Sequence, residues 1–272
     1  VDVRHRSAAA HPVSRLNIEI ADVAGPGGLV CISGKLGLGF IVVRLGVRQV
    51  PLAADVIGDL LTKAGIDHEL IFVNDGSRDH TWQAVQAQTQ RHPQVRGVRF
   101  SRNFGKEAAI FAGLAQAKGD CCVVLDCDLQ HPPEKILEMY RLWQQGWQVV
   151  EGVKISRGKE SPLHTLAAKT FYRFLSGATR IDMSHASDFK LLDRRAVDVL
   201  VAMREKNAFF RALSSWIGFR TTQVEFEVQP RLEGESKWSI RSLVRYAITN
   251  ITSFSAAPLQ LDTLLGLSLI HI

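Results

Sequence analysis

Asp126 and Asp128 close an apolar run in the stretch CCVVLDCDLQHPPE, residues 121–134. Two carboxylates one residue apart at the mouth of a buried strand repel each other unless a proton or a cation lies between them. A divalent ion such as Mg²⁺ or Mn²⁺ removes that conflict, because it takes oxygen ligands from one or two carboxylates and completes its shell with water and substrate phosphates. The same pair could equally cap the turn that follows, and spacing alone does not choose. Asp75 in VNDGSRD stands at a second strand end, where a carboxylate can accept hydrogen bonds from a ribose or a base edge, although Asp-Gly is also the commonest of turns. In SRNFGKEAA, Arg102 and Lys106 sit at a helix start, a setting for phosphate or for an ordinary solvated helix entry.

These residues need a scaffold, and the pattern around them supplies one. PLAADVIGDLLTKAG reads as an amphipathic helix closed by Gly65, and HELIFVNDGS as a strand entering a turn. DHTWQAVQAQTQRH reads as a helix with Asp79 at its N-cap, QVRGVRF as a strand, and GKEAAIFAGLAQAKG as a helix ending near Gly119. CCVVLD is a further strand, and PPEKILEMYRLWQQG a helix with prolines in its first turn. Strands alternating with helices of this length predict an α/β fold, a mostly parallel sheet covered on both faces. Ligands of such sheets bind at the carboxyl ends of the strands, where both acidic turns fall.

The 272 residues, 46% apolar and 22% charged, are enough for one large domain or two small ones. A net charge of +6 with a pI of about 9.3 suits an anionic partner but does not identify one. Of the four cysteines (Cys31, Cys121, Cys122, Cys127), three lie in or just after one strand without CxxC spacing, which points to a reducing compartment rather than to disulfides or zinc. No segment reaches the roughly 20 apolar residues of a spanning helix. No signal peptide is expected, and LDTLLGLSLIHI comes nearest to a membrane segment.

Six segments in this order, VNDGSRDHT, RNFGKEAAIFAGL, LDCDLQHPPE, SDFKLLDRRAVD, RLEGESKWS and ITSFSAAPL, resemble the polyprenyl-phosphate branch of the family-2 glycosyltransferases over about residues 51–261. That branch includes dolichyl-phosphate mannose synthases and bactoprenyl-phosphate glucosyltransferases. The resemblance implies a GT-A, Rossmann-like domain that transfers a sugar, with inversion, from a UDP- or GDP-sugar to a polyprenyl phosphate. By the same resemblance Asp126 and Asp128 hold Mg²⁺ or Mn²⁺ against the diphosphate, with Gln130 nearby, and Asp75 contacts the nucleoside. Asp188 matches a catalytic base or acceptor-side carboxylate, and Arg231, Ser236 and Lys237 match a segment that closes over the phosphates. An acceptor phosphate, with its second pKa of about 6, is already largely ionised at neutral pH. We therefore expect Asp188 to orient hydroxyls more than to remove a proton.

In SIRSLVRYAITNITSF the apolar residues Ile240, Leu243, Val244, Ala247, Ile248 and Ile251 fall on one helical stripe, with Arg241 and Arg245 elsewhere around the helix. Packing on the domain would explain this, as would lying in a lipid headgroup layer; the resemblance favours the membrane surface, at the cytoplasmic face. NAFFRALSSWIGF brings Phe209, Phe210 and Trp216, which suit either core or lipid contact. The expected organisation is a poorly ordered or aberrant segment 1–38, the transferase domain 39–230, and a closing loop, interface helix and start of a membrane segment over 231–272. Expected partners are the nucleotide sugar, the polyprenyl phosphate and the membrane, with a second copy of the chain left open and no nucleic acid.

The chain departs from the family in three places. GFIVVRLGVRQVPLAAD stands where a strand and a Pro-Val-Tyr-Asn-Glu-Glu type segment are usual, so a strand is expected at Phe40–Val43 without the acidic contact. Lys154 replaces a frequent Arg, which weakens two-pronged phosphate contact, and His131 replaces a frequent Asp. A phosphatase-type enzyme using the first Asp as nucleophile is the competing enzyme class, disfavoured by Leu129, Gln130 and the two prolines that follow. A non-catalytic sugar-nucleotide-binding or membrane-associated remnant is the competing non-enzyme.

Overall fold

A computed structural model describes residues 18–21, 37–43, 46–127, 129–155, 187–203, 209–227 and 263. Asp128, Arg231, Ser236, Lys237 and the stripe over 239–254 lie outside these residues. The strands are β1 (Ile18–Ala21), β2 (Leu38–Val43), β3 (His68–Asn74), β4 (Val95–Phe100), β5 (Cys121–Asp126), β6 (Val149–Lys154), β7 (Lys190–Asp193) and β8 (Thr221–Phe226). The helices are α1 (Gln49–Lys63), α2 (Thr81–Arg91), α3 (Lys106–Gln116), α4 (Glu134–Gln144), α5 (Arg194–Ala202) and α6 (Phe210–Trp216).

All eight strands join one sheet in the order β1-β4-β3-β2-β5-β7-β6-β8. The neighbours β4-β3-β2-β5 are parallel, as the alternation of strand and helix predicts. Two antiparallel insertions were not legible in that alternation. β7 runs against both β5 and β6, and β1 runs against β4 at the edge. The expected strand at Phe40–Val43 begins at Leu38 and takes a central place between β3 and β5. Within the segment expected to be poorly ordered, Ile18–Ala21 pairs in register with Phe100–Gly97.

Side-chain alternation along the central strands divides the core into two layers. Leu38, Phe40, Val42, Leu70, Phe72, Val123 and Leu125 face α1, α2 and α4, meeting Ile57, Leu61, Trp82, Val85, Ile136 and Met139. Ile41, Val43, Ile71, Val73, Cys122 and Val124 face α3, α5 and α6, meeting Ile110, Leu114, Val197, Leu200, Phe210 and Leu213. Both faces are buried, so the strands read as unbroken apolar runs rather than as alternating ones. α3 lies so close to β2 that a Cβ on Gly113 would stand 2.3 Å from Ile41 Cγ2. The three described cysteines are buried free thiols; burial drives the Cys122 thiol up to about 12, so it stays protonated and behaves as a small apolar side chain.

Local signals shift by a residue or two. α1 starts at Gln49, ahead of Pro51, which a first turn tolerates because its missing N–H has no helical partner there. At α2 the N-cap position is His80, while Asp79 Oδ1 accepts from Thr81 N at 3.1 Å and supplies the capping bond. Phe209 and Phe210 are core residues, whereas Trp216 is 60% exposed. No helix among the described residues is long and apolar enough to cross a membrane.

Candidate active site

The chemistry gathers at the carboxyl edge of the sheet, where β3, β4 and β5 release their chains. After β3, Asn74 Oδ1 accepts from Ser77 N at 2.9 Å, which tightens the turn containing Asp75 and Gly76. Gly76 has φ +65°, and a Cβ there would lie 2.3 Å from the backbone carbon of Arg102. Only glycine lets the two loops touch. Asp75 uses that proximity: its Oδ1 accepts from Phe104 N at 2.6 Å, and its Oδ2 from Gly105 N and Asn103 Nδ2, both at 2.9 Å. The carboxylate expected to meet a nucleoside thus also braces the 103–105 loop that launches α3. Arg102 is exposed, with its guanidinium 4.3 Å from the centre of the Phe104 ring.

Lys106 is the first residue of α3, and it reaches across the edge to β5 and β7. Its Nζ lies 2.9 Å from Asp126 Oδ1 and 3.0 Å from Oδ2, and donates to Asp188 Oδ2 at 2.7 Å. Asp188, just ahead of β7, is gripped from its other side by Arg211, whose Nε donates to Oδ1 and Nη2 to Oδ2, both at 2.7 Å. Two carboxylates, one at the end of β5 and one just ahead of β7, and two cations from separate helices therefore form one continuous network. Burial alone would raise the Asp188 carboxyl, but Arg211 and then Lys106 outweigh it and hold the group far below the usual carboxylate range. Burial likewise opposes charge on Lys106, yet Asp188 and Asp126 prevail, and its pKa is raised.

Two further acidic residues complete the surroundings. Glu107 Oε2 accepts from Phe210 N at 2.8 Å and so caps α6, which has no side-chain cap of its own. Burial first, and the nearby Asp188 charge second, push the Glu107 carboxyl up to about 7. Behind the site, the wholly buried Lys190 pairs with Glu151 at 2.8 Å and donates to Ser214 Oγ at 2.8 Å. Burial pulls the Lys190 pKa down against the pull of Glu151. α6 is thus pinned at Phe210, Arg211 and Ser214.

Of the predicted residues, Asp126, Lys106 and Asp188 come together in one network. Asp75, in the turn after β3, and Arg102, in the loop before α3, sit beside it. Gln130 follows Leu129, a buried residue with φ +52° whose left-handed backbone costs about 1–2 kcal/mol in a non-glycine and turns the chain sharply after β5. Lys154 ends β6 on the same edge, exposed and two strands from β5. His131 stacks on Phe189 with ring centres 4.7 Å apart and meets the edge of Phe226, so the substitution there serves packing.

Arg211, Glu107 and the Lys190–Glu151 pair were missed. Two had a faint signal: Arg211 is the one charge in the apolar stretch NAFFRALSSWIGF, and Glu107 precedes the uncharged run AAIFAGLAQA. Neither says which partner it finds.

A divalent cation fits the donor set of the edge. Hard carboxylate oxygens from Asp126, with Asp128 next but one along the chain, meet the needs of Mg²⁺ or Mn²⁺ when phosphate oxygens complete the shell. Among the described residues there is no group of three or more His, Cys, Asp or Glu that would hold a metal unaided.

The family model described as glycosyl transferase family 2 matches residues 51–201. The chain belongs to that family. It is 42% identical over 202 residues to the uncharacterized glycosyltransferase YkcC of Bacillus subtilis, covering 74% of this chain and 62% of that protein. It is 36% identical over 200 residues to the bactoprenol glucosyl transferase of Shigella phage SfV, covering 73% and 65%. The match to the prophage bactoprenol glucosyl transferase homolog of Escherichia coli is 33% over 221 residues, covering 81% and 72%. These relatives support the bactoprenol-glucosyltransferase branch of the family. The chain spans about three fifths to two thirds of the length of the first relatives it matches. Among solved structures, glucosyl-3-phosphoglycerate synthase from Mycobacterium tuberculosis, in complex with Mn²⁺, UDP-glucose and phosphoglyceric acid, superposes with a TM-score of 0.55 at 18% identity, covering 81% of this chain and 79% of that one. At that identity the likeness is one of fold: a mostly parallel mixed sheet of GT-A type. Family membership removes the phosphatase alternative.

Proposed function

We propose that this chain carries the donor and catalytic site of a metal-dependent, inverting glycosyltransferase that moves a sugar from a UDP- or GDP-sugar to a polyprenyl phosphate at the cytoplasmic face of a membrane. One observation carries the reading. Asp126, at the donor-side strand end, and Asp188, at the acceptor-side one, share the same ammonium group at the sheet edge. The bactoprenol glucosyl transferases among the relatives suggest the acceptor class, and the Mn²⁺ and UDP-glucose held by a structural neighbour agree with the donor and metal.

In this reading Asp126 and Asp128 hold the divalent ion, which neutralises negative charge building on the departing nucleoside diphosphate. Asp75 faces the nucleoside while bracing the loop that sets Lys106, and Arg102, Gln130 and Lys154 line the approach of the phosphates. Arg231, Ser236 and Lys237 close over the diphosphate and add positive charge where charge develops, leaving the sugar with oxocarbenium character between the two halves of the site. Asp188, held far down by Arg211 and Lys106, is a weak proton acceptor, and a polyprenyl phosphate with a second pKa of about 6 has no need of a strong one. Its task is to fix the two cations and the sugar or acceptor hydroxyls in the attacking geometry.

The test is to incubate the chain with a panel of UDP- and GDP-sugars, Mn²⁺ and a short prenyl phosphate, and to follow prenyl-linked sugar by mass spectrometry. A product that disappears with EDTA and in an Asp126→Ala, Asp128→Ala double variant is expected. Nucleotide binding without product from any donor would leave a sugar-nucleotide-binding role in place of the transferase.

A further inference from the structure

We infer that Lys106 is the resident counter-ion of this site: its ammonium occupies the Asp126 carboxylate that a divalent cation would use, so the metal gains that ligand only in company with a nucleoside diphosphate. The inference rests on the function proposed above and adds an order to it. Lys106 Nζ straddles Asp126, 2.9 Å from one oxygen and 3.0 Å from the other, which is the two-oxygen position that a chelated cation would take. The Asp126 side chain is only 12% exposed, so an approach that avoids the ammonium is narrow.

The charges of the network point the same way. Within this four-residue network Lys106 and Arg211 offset the charges of Asp126 and Asp188, so the Asp126 carboxylate draws a bare dication less than an unpaired one would. A diphosphate arriving with the metal brings negative charge of its own. The lysine also has a second anion to hold it when it leaves Asp126, because Asp188 Oδ2 lies 2.7 Å from the same Nζ. Two Nζ protons are then free for phosphate oxygens, and about one quarter of the side chain is exposed. Release of Asp126 to the metal and delivery of Lys106 toward the diphosphate are thereby one movement.

Titration of Mn²⁺ followed by the electron paramagnetic resonance of the free ion tests this in the full 272-residue chain, without turnover. The wild type should bind Mn²⁺ weakly alone and much more tightly with UDP or GDP. Lys106→Met, which keeps the length and removes the charge, should bind Mn²⁺ alone about tenfold tighter or more and lose most of the nucleotide dependence. Lys106→Arg should behave as the wild type, and Lys106→Gln provides a second neutral variant should the Met variant melt at a lower temperature. Unchanged or weaker binding of Mn²⁺ alone by a folded neutral variant overturns the inference while leaving the transferase reading intact. Absence of Mn²⁺ binding by the wild type with both nucleotides overturns both.

Discussion

At the residue scale, Asp188 carries most of the electrostatic weight. It is 9% exposed at the side chain and saturated by two cations that would otherwise face each other across it. Asp188→Asn should therefore lower stability by about 3 kcal/mol, the low end for breaking a buried pair, because Arg211 and Lys106 keep their charge without a full partner. The sign with pH follows from its depressed folded pKa. The unfolded carboxyl takes up its proton first as pH falls, so the contribution of Asp188 is complete above the ordinary value of 3.8 and is lost as pH drops toward the folded one. Denaturant melts of wild type and variant should thus differ at pH 7 and converge in acid. On activity, an orienting role predicts that the Asn variant recovers much of its turnover at high acceptor concentration. Lost turnover with unchanged acceptor affinity would instead identify Asp188 as a base.

At the scale of elements, α6 is a short helix whose place is set by three tethers rather than by its own propensity. Seven residues make fewer than two full turns, well below what is stable alone. Glu107 provides the first tether, and its raised pKa gives it a distinctive signature. A carboxyl whose folded pKa is about 7 against an ordinary 4.5 binds more protons in the folded state across that interval, so the protein loses stability as pH rises from 4.5 to 7. Glu107→Gln keeps an oxygen for Phe210 N and removes the charge. The melting temperature of this variant relative to wild type should therefore climb between those pH values and level off above them. Glu107→Ala removes the acceptor as well; it should be the less stable of the two variants at every pH, by about 1–3 kcal/mol for the unsatisfied amide. Equal stability of the two variants would exclude the cap, and a constant difference from wild type across that pH range would exclude the raised carboxyl pKa.

For the whole molecule, the sheet gathers the described candidates at one edge, and the polyprenyl-phosphate acceptor proposed above would set a membrane beside it. If the stripe over 239–254 lies in headgroups, Arg241 and Arg245 contribute about 1 kcal/mol each against anionic lipid. Co-sedimentation with vesicles containing one-third phosphatidylglycerol should then fall about tenfold or more in an Arg241→Glu, Arg245→Glu variant, and fall with added salt in the wild type. Equal binding by the two proteins at low salt would place that helix on the domain.

Local pattern along the chain was enough for the parallel core, its two covered faces and the acidic strand ends. Those rest on local periodicity and on turn residues, both of which act between neighbours in the chain. It also carried the family likeness, through short motifs whose spacing survives. Its limits show at β7 and at α6. Cys121 pairs with Asp193, 72 residues on, and Lys106 meets Asp188 across 82, so nothing near any of them records the contact. Arg211 reads as a stray charge in an apolar helix until folding places a carboxylate 2.7 Å away. That Asp126 and Asp188 share one ammonium follows only from the folded chain, because charges choose partners by distance in space and the low-dielectric edge makes that choice count.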